Sequence, residues 1–163
     1  MNNSEYSLLE AQARAFCDAA HPVSAVCNIL SLIWYSDRTI NWAGLYLAGP
    51  DSLYLGPFMG KPACMEIGWG KGVVGTCARN RKPMLVPDVH TFEGHIACDS
   101  DSRSEAVFPL AHGDSVLAVL DIDCLETGGI SQDRFECFSR IAVILEDLLK
   151  QVAPLCPPAQ PAD

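Results

Sequence analysis

Residues 105–123, EAVFPLAHGDSVLAVLDID, decide the fold. Two apolar runs, residues 105–110 and 115–123, flank the tripeptide HGD at 112–114. A glycine-containing turn between two apolar runs predicts an antiparallel β-hairpin. The second run ends in two acidic residues, so this hairpin is also a candidate for chemistry.

The chain before the hairpin changes from helical to strand-like patterning. Residues 4–18 and 23–36 carry apolar residues at helical spacing, which predicts two helices. Residues 41–47 and 52–55 alternate as strands do, and the glycines and prolines from residue 56 to 62 then predict a loop. The order of elements is therefore two helices followed by strands.

The middle and the end of the chain complete an α+β pattern. We predict a short helix at 73–79, a brief strand at 84–86, a long polar loop at 87–103 and a last helix after Ser131. An antiparallel central sheet with the N- and C-terminal helices packed on one face fits this order. Residues 1–153 are predicted to form a single domain, and residues 154–163, which are rich in proline, are predicted to form a flexible tail.

Charge and hydropathy exclude several classes of protein. The 163 residues include 11 Lys+Arg and 20 Asp+Glu, a net charge of −9, which argues against nucleic acid or an anionic membrane surface as a partner. No apolar run approaches the roughly 20 residues that span a bilayer. The N-terminus also lacks the basic start and apolar segment of a signal peptide, so we expect a cytoplasmic location.

Two of the eight cysteines stand apart from the rest. In a reducing compartment most cysteines are expected to be free, buried, small apolar residues. Cys98 and Cys64, however, lie in polar or Gly/Pro-rich loops, where functional residues are concentrated. Two loop thiols can form and break a disulfide, although their loop positions can also be coincidental. The remaining six are expected to be structural: Cys17, Cys27, Cys77, Cys124, Cys137 and Cys156.

Acidic residues end the second strand of the hairpin. Asp121 and Asp123 are two apart on a strand, so both side chains point to the same face. Neighbouring carboxylates repel each other, which raises the pKa of one of them and suits a site that binds a cation or delivers a proton. Glu105 begins the neighbouring strand and can join this cluster. The alternative is a strand end that faces solvent.

Two aromatic residues and one histidine complete the set of candidates. Trp42 and Tyr46 lie four apart on one strand face, where they form either apolar core or the wall of a small-ligand pocket. His95 precedes Cys98 by three residues and can lower the pKa of that thiol. We predict no metal site, because further ligands at suitable spacing are absent from the sequence around His95.

Five blocks of sequence together resemble the free methionine-(R)-sulfoxide reductases, whose members are single GAF-fold domains. The blocks are INWAGLYL at 40–47, LGPFMGKPAC at 55–64, GKGVVGT at 70–76, DVHTFEGHIACDSDSRSEAVFPL at 88–110 and VLAVLDID at 116–123. The resemblance implies a GAF-like fold and a thiol-dependent reductase of the free amino acid, active in the response to oxidative stress.

The resemblance also implies roles for individual residues. Cys98 matches the expected nucleophile, which becomes a sulfenic acid, and Cys64 matches the cysteine that resolves it as a disulfide. Thioredoxin, kept reduced by electrons from NADPH, is the expected electron donor, and no bound cofactor is expected. The family's carboxylate set matches Glu105, Asp121 and Asp123, of which Glu105 and Asp123 are expected to be catalytic, and the choice of proton donor among the three stays open. The residues expected to contact substrate are Trp42, Tyr46, Asp121, Ile96 and Ala97.

One position departs from the family pattern. Many members carry a third cysteine in a GVCGT motif, where this chain has Val74. Cys77 lies three residues later, about one helical turn away, and is a candidate extra thiol. The simplest interpretation is a two-cysteine enzyme that uses Cys98 and Cys64.

Two other functions compete with this interpretation. One is a non-catalytic GAF sensor domain that binds a small ligand. The other is an interaction or dimerisation module, in which the first two helices support a homodimer. Loss of activity in Cys98→Ser distinguishes the enzyme from both.

Overall fold

The computed structural model describes residues 3–96 and 98–151, and it has the predicted α+β architecture. Six strands form one antiparallel sheet in the order β3-β2-β1-β6-β5-β4. The elements are α1 Asn3–Phe16, α2 Pro22–Ser36, β1 Ile40–Ala48, β2 Ser52–Gly60, β3 Glu66–Gly68, α3 Gly72–Asn80, β4 Met84–Val86, a 3-10 turn Val89–Thr91, β5 Ser104–His112, β6 Ser115–Cys124 and α4 Gln132–Gln151.

The sheet separates two apolar cores because successive strand residues point to opposite faces. One face packs against α1, α2 and α4, as predicted, and includes Leu45 of β1, Phe108 of β5 and Leu120 of β6. The other face packs against α3 and includes Trp42 and Tyr46. Each central strand therefore contributes one set of side chains to the helical core and a second set to the opposite side.

Strand β2 is longer than its sequence indicates. The predicted loop at 56–62 is wrong over its first five residues, since β2 continues to Gly60. Pro57 lacks an N–H donor, which normally excludes it from a central strand. Here the pairing of β1 with β2 shifts between Gly44 and Tyr46, so Pro57 falls within an irregularity of the ladder where a donor is not needed.

The helix starts and the hairpin turn follow local sequence signals. Pro22 occupies the first turn of α2, where a missing N–H costs nothing. Ser131 Oγ accepts a hydrogen bond from Arg134 N–H at 3.3 Å and caps α4. Gly113, with φ of 59°, occupies the turn between β5 and β6.

Some predictions lie beyond the part of the chain that the structure describes. The tail at 154–163 and Cys156 fall outside it, so the predicted domain end at residue 153 stays a prediction. Among residues 3–96 and 98–151, no helix has both the length and the apolar character needed to cross a bilayer.

Candidate active site

Strand register brings the three predicted carboxylates together. Asp123 of β6 pairs with Glu105 of β5 and, on its other side, with Trp42 of β1. Asp121 lies two residues earlier on the same face, opposite Gly44. Carboxylate oxygens of Glu105, Asp121 and Asp123 lie within 4.8 Å of one another. The acidic cluster, as we call these three residues, thus forms on the face that carries α3.

Burial raises the pKa values of all three carboxyl groups in the acidic cluster. Glu105 and Asp121 are only 4% and 6% exposed. Loss of hydration, together with the charges of the neighbouring acids, raises the pKa values of Glu105 and Asp123 well above their usual range. The pKa of Asp121 rises to about 7 through burial, although hydrogen bonds from Glu105 and from the Ile122 backbone oppose the rise. Burial and mutual repulsion therefore favour the neutral forms of Glu105 and Asp123.

Among the described residues, these three carboxylates lie close enough together to hold a metal ion. Oxygen ligands of this kind suit hard divalent cations when they are ionised. Raised pKa values work against that use, because the oxygens hold protons instead. The prediction of no metal therefore stays a prediction, and the chemistry of the cluster favours proton transfer.

Trp42 and Tyr46 form the aromatic wall of the pocket beside the cluster. Their rings are stacked with centroids 5.9 Å apart, and the Phe58 ring stacks on Trp42 at 5.5 Å. Their polar atoms are hydrogen-bonded to backbone carbonyls. Trp42 Nε1 donates to the Lys61 carbonyl at 3.1 Å, and Tyr46 Oη donates to the Cys64 carbonyl at 3.1 Å. Both residues thus give the pocket lining an apolar surface, while their polar tips bind the segment that carries Cys64.

Cys64 and Cys98 are joined by a disulfide in this structure. Their Cα atoms are 5.5 Å apart across 34 residues of sequence. The bond links the segment that follows β2 to the loop that precedes β5. Both cysteines are half-buried, so an external thiol can approach them.

A pocket connects Cys98 to the acidic cluster. With the disulfide closed it contains a cavity of about 30 Å3. Its lining includes every predicted catalytic residue except Cys64, together with the aromatic wall and residues of α3. Among the lining residues are Trp42, Tyr46, Val74, His95, Ile96, Cys98, Glu105, Asp121 and Asp123.

The first turn of α3 forms another wall of the pocket. Gly72, Val73 and Val74 line it, and Lys71, which precedes the helix, makes no side-chain cap. The first N–H groups of an α-helix have no intrahelical acceptor, and the helix dipole makes this end attractive to anions. One wall therefore offers hydrogen-bond donors, while the acidic cluster offers carboxylates.

The missing family cysteine is replaced by an apolar side chain in the wall of the pocket. Val74 is 4% exposed and lines the pocket. Cys77 is fully buried and is not among the lining residues. Burial, with the charges of Asp121 and Glu105, also raises the pKa of its thiol, which weakens it as a nucleophile. These observations support the two-cysteine interpretation.

The loop before Cys98 contributes a histidine and an isoleucine to the pocket. Nδ1 of His95 is buried without a hydrogen-bond partner among the described residues, and burial lowers the pKa of its ring. Oδ1 of Asp121 is likewise unpartnered there. Ile96 lines the pocket and is 39% exposed, whereas Ala97 lies outside the described residues.

Sequence reasoning missed the polar residues that hold the two cysteine-bearing segments in place. Lys61 pairs with Asp99 and Asp101, and Asn41 donates to Asp99 and Ser102. A signal was present in the sequence, since a lysine three residues before Cys64 complements the acidic run that follows Cys98. Opposite charges in two distant loops do not identify a contact until the fold places the loops together.

Comparisons with known proteins agree with the geometry of this site. Residues 9–154 match the model of the GAF domain family. The free methionine-R-sulfoxide reductase of Saccharomyces cerevisiae is 42% identical over 134 residues, which cover 76% of this chain and 74% of the relative.

Two solved structures are similar to the chain over nearly their whole lengths. The reduced form of fRMsr from Staphylococcus aureus is 41% identical with a TM-score of 0.83, covering 88% of this chain and 94% of that one. The free methionine-R-sulfoxide reductase of Neisseria meningitidis, solved in complex with its substrate, is 29% identical with a TM-score of 0.86, covering 93% of each chain.

Proposed function

The chain belongs to the free methionine-R-sulfoxide reductases, which are built on a GAF domain, and from this premise we propose that it reduces free L-methionine-(R)-sulfoxide to methionine. The observation that carries the proposal is the pocket that Cys98 shares with the acidic cluster, with Cys64 bonded to Cys98. A nucleophilic sulfur, a proton source and a second thiol are the three parts that such a reduction needs.

The acidic cluster supplies the proton at neutral pH. Burial and neighbouring acids raise the pKa values of Glu105 and Asp123, which favours their protonated forms, so each can act as a general acid. Asp121 has a pKa of about 7 and accepts a hydrogen bond from Glu105, so it ionises most readily of the three. We therefore assign the proton-donor role to Glu105 or Asp123 and the charged role to Asp121.

Two walls of the pocket, the acidic cluster and the first turn of α3, have opposite chemistry that suits the two charged groups of a free amino acid. The unpartnered Oδ1 of Asp121 suits the substrate ammonium, which would stabilise the ionised carboxylate. The uncapped first turn of α3 suits the substrate carboxylate. The faces of Trp42 and Tyr46 suit the S-methyl group. A methionine sulfoxide residue within a protein lacks both free charges and is expected to bind poorly.

The reaction consists of two transfers that balance in atoms and electrons. The Cys98 thiolate attacks the sulfoxide sulfur while the acid protonates the sulfoxide oxygen. The S–O bond of the substrate then breaks as the oxygen bonds to the Cys98 sulfur, and the transient S–S bond breaks with its electron pair on the substrate sulfur. Methionine leaves, and Cys98 is a sulfenic acid. Methionine sulfoxide is reduced by two electrons and Cys98 is oxidised by two. The Cys64 thiol then attacks the sulfenic sulfur, releasing water and forming the disulfide. A dithiol protein, for which we propose thioredoxin, reduces this disulfide by exchange.

The direct test is NADPH oxidation with thioredoxin and thioredoxin reductase on three substrates. We expect turnover of free L-methionine-(R)-sulfoxide, and at least 100-fold lower rates with the (S) epimer and with the N-acetylated (R) form. Cys98→Ser should abolish turnover. Cys64→Ser should release about one equivalent of methionine and then stop with thioredoxin, because the sulfenic acid has no resolving thiol.

Cys27→Ser is the matched control, since Cys27 is a half-buried cysteine of α2 outside the pocket lining. It should keep the wild-type rate. The proposal is wrong if no free sulfoxide is turned over with either thioredoxin or dithiothreitol. Binding of the free sulfoxide without turnover would instead favour a sensor domain.

A further inference from the structure

The two cysteine-bearing segments are joined by an ion-pair cluster as well as by the disulfide. Lys61 directly follows β2 and precedes Cys64 by three residues. Its ammonium contacts Asp99 Oδ1 at 3.3 Å and also pairs with the carboxylate of Asp101. Both acids follow Cys98 on the opposite loop, so the three charged residues bridge the same gap as the disulfide.

The Cys64 side of this bridge is anchored on the sheet. The carbonyl of Lys61 accepts a hydrogen bond from Trp42 Nε1, and the carbonyl of Cys64 accepts one from Tyr46 Oη, each at 3.1 Å. Trp42 and Tyr46 are buried side chains of the central strand β1. The segment from Lys61 to Cys64 therefore keeps its place without help from the disulfide.

The Cys98 side is anchored by Asn41 of β1, whose Nδ2 donates to Ser102 Oγ at 2.9 Å. Asp99 Oδ2 accepts a hydrogen bond from Asn41 Nδ2 at 3.3 Å, and Asp99 Oδ1 accepts one from the Asp101 N–H at 3.0 Å. These bonds, with Lys61, hold the pKa of Asp99 below its usual range. Lys61 is thus a direct side-chain link from the Cys98 loop to the segment that carries the other thiol.

We propose that Lys61 is a positioning residue, whose ion pairs with Asp99 and Asp101 keep the Cys64 thiol beside Cys98 after the disulfide has been reduced. The proposal rests on the proposed function, in which Cys64 must attack the Cys98 sulfenic acid and release water. The charged contact links the two segments in the disulfide-bonded structure, and we expect it to persist when the disulfide is reduced. Resolution is then fast because the second thiol has a high effective concentration.

The first measurement needs no substrate. The thiol–disulfide equilibrium of the Cys64–Cys98 pair is titrated against glutathione redox buffers for wild type, Lys61→Met and Lys61→Arg. Lys61→Met keeps most of the alkyl chain and removes the charge, and we expect an about 2- to 5-fold lower equilibrium constant for disulfide formation, the range expected of an exposed ion pair. Lys61→Arg should restore most of the constant.

The second measurement separates the two chemical steps. In a single turnover with free (R)-sulfoxide, Lys61→Met should release methionine at close to the wild-type rate but form the disulfide about 2- to 5-fold more slowly. The accumulated sulfenic acid should appear as increased labelling by dimedone. Lys82→Met, at an exposed lysine in the turn after α3, is the matched control and should change neither step.

Asp101→Asn tests whether Lys61 acts through its acidic partners. The double variant with Lys61→Met should be no slower in disulfide formation than Lys61→Met alone, because both changes remove the same contact. Raising the salt concentration from 0.05 to 0.5 M should slow disulfide formation in wild type and leave Lys61→Met unchanged.

Two results would overturn the proposal. One is an unchanged glutathione equilibrium in Lys61→Met, and the other is an equal slowing of methionine release and disulfide formation. Failure of the proposed function is a separate result. In that case no free sulfoxide would be reduced by wild type, while the glutathione titration would still report whether Lys61 positions the two thiols.

Discussion

Asp121 has a role in the proposed function, but its ionisation lowers the stability of the folded protein. Its carboxyl group is buried beside two other acids, and one of its oxygens has no hydrogen-bond partner among the described residues. Burial raises its pKa to about 7. The folded protein therefore binds this proton more tightly than the unfolded chain, where an Asp has a pKa near 4. Ionisation of Asp121 destabilises the folded state unless a ligand cation compensates it.

The sign of the pKa shift predicts a pH-dependent stability. Between about pH 4 and pH 7, the unfolded chain loses this proton while the folded chain retains it, so the free energy of unfolding should fall as the pH rises through this window. Asp121→Asn removes the ionisation and should be more stable than wild type at pH 8, by an amount on the order of 2 kcal/mol, and close to wild type at pH 4. Urea unfolding at a series of pH values measures this.

Asp51→Asn is the control for the Asp121 prediction, because Asp51 is exposed in the turn between β1 and β2. Its unfolding free energy should follow the wild-type pH profile. Parallel profiles for Asp121→Asn and wild type would contradict the assignment of a buried, protonated cluster.

At the scale of an element, strand β1 carries both residues of the aromatic wall. Gly44 lies between Trp42 and Tyr46 on the same strand face, and it pairs with Asp121. A Cβ atom at Gly44 would lie 2.3 Å from Trp42 Cη2 and 2.6 Å from Phe58 Cβ. Trp42 can stack on Phe58 because residue 44 has no side chain.

Gly44→Ala should displace the Trp42 ring and deform the pocket. We expect a loss of stability of about 1–3 kcal/mol, typical of overpacking in a core, with a fall of at least 10-fold in kcat/KM for the free sulfoxide. Gly68→Ala is the matched control, since a Cβ there would meet only the flexible Lys71 side chain, at 3.3 Å. An unchanged kcat/KM in Gly44→Ala would show that the ring position is not needed.

At the scale of the whole molecule, we expect the disulfide to couple the redox state to the access of ligands to the pocket. It closes the segment after β2 against the loop before β5, and the remaining cavity of about 30 Å3 has room for one or two water molecules. An amino-acid sulfoxide is much larger than this. The oxidised protein should therefore exclude substrate and product until the disulfide is reduced.

Calorimetric binding of free methionine tests this coupling. Reduced wild type and Cys64→Ser, which cannot form the disulfide, should bind methionine at least 10-fold more tightly than the oxidised protein. Cys27→Ser in its oxidised form is the control and should bind as weakly as oxidised wild type. Equal affinities for the oxidised and reduced forms would contradict a pocket closed by the disulfide.

The sequence by itself determined the elements and the faces of its strands. The hairpin at 105–123, the four helices and the shared face of Asp121 and Asp123 follow from local periodicity and turn residues, which depend on near neighbours along the chain. The two loop cysteines were also visible from their local setting, and their pairing was implied by family resemblance. The extension of β2 was missed because its irregularity depends on the partner strand.

Only the tertiary structure decided which distant residues meet. Strand register places Glu105 beside the acids of β6, and burial of the three together raises their pKa values. The fold also directs the polar atoms of Trp42 and Tyr46 onto the Cys64 segment, and brings Lys61 to the acids after Cys98. These contacts depend on strand order and on the burial it creates, and neither is a property of the neighbouring sequence.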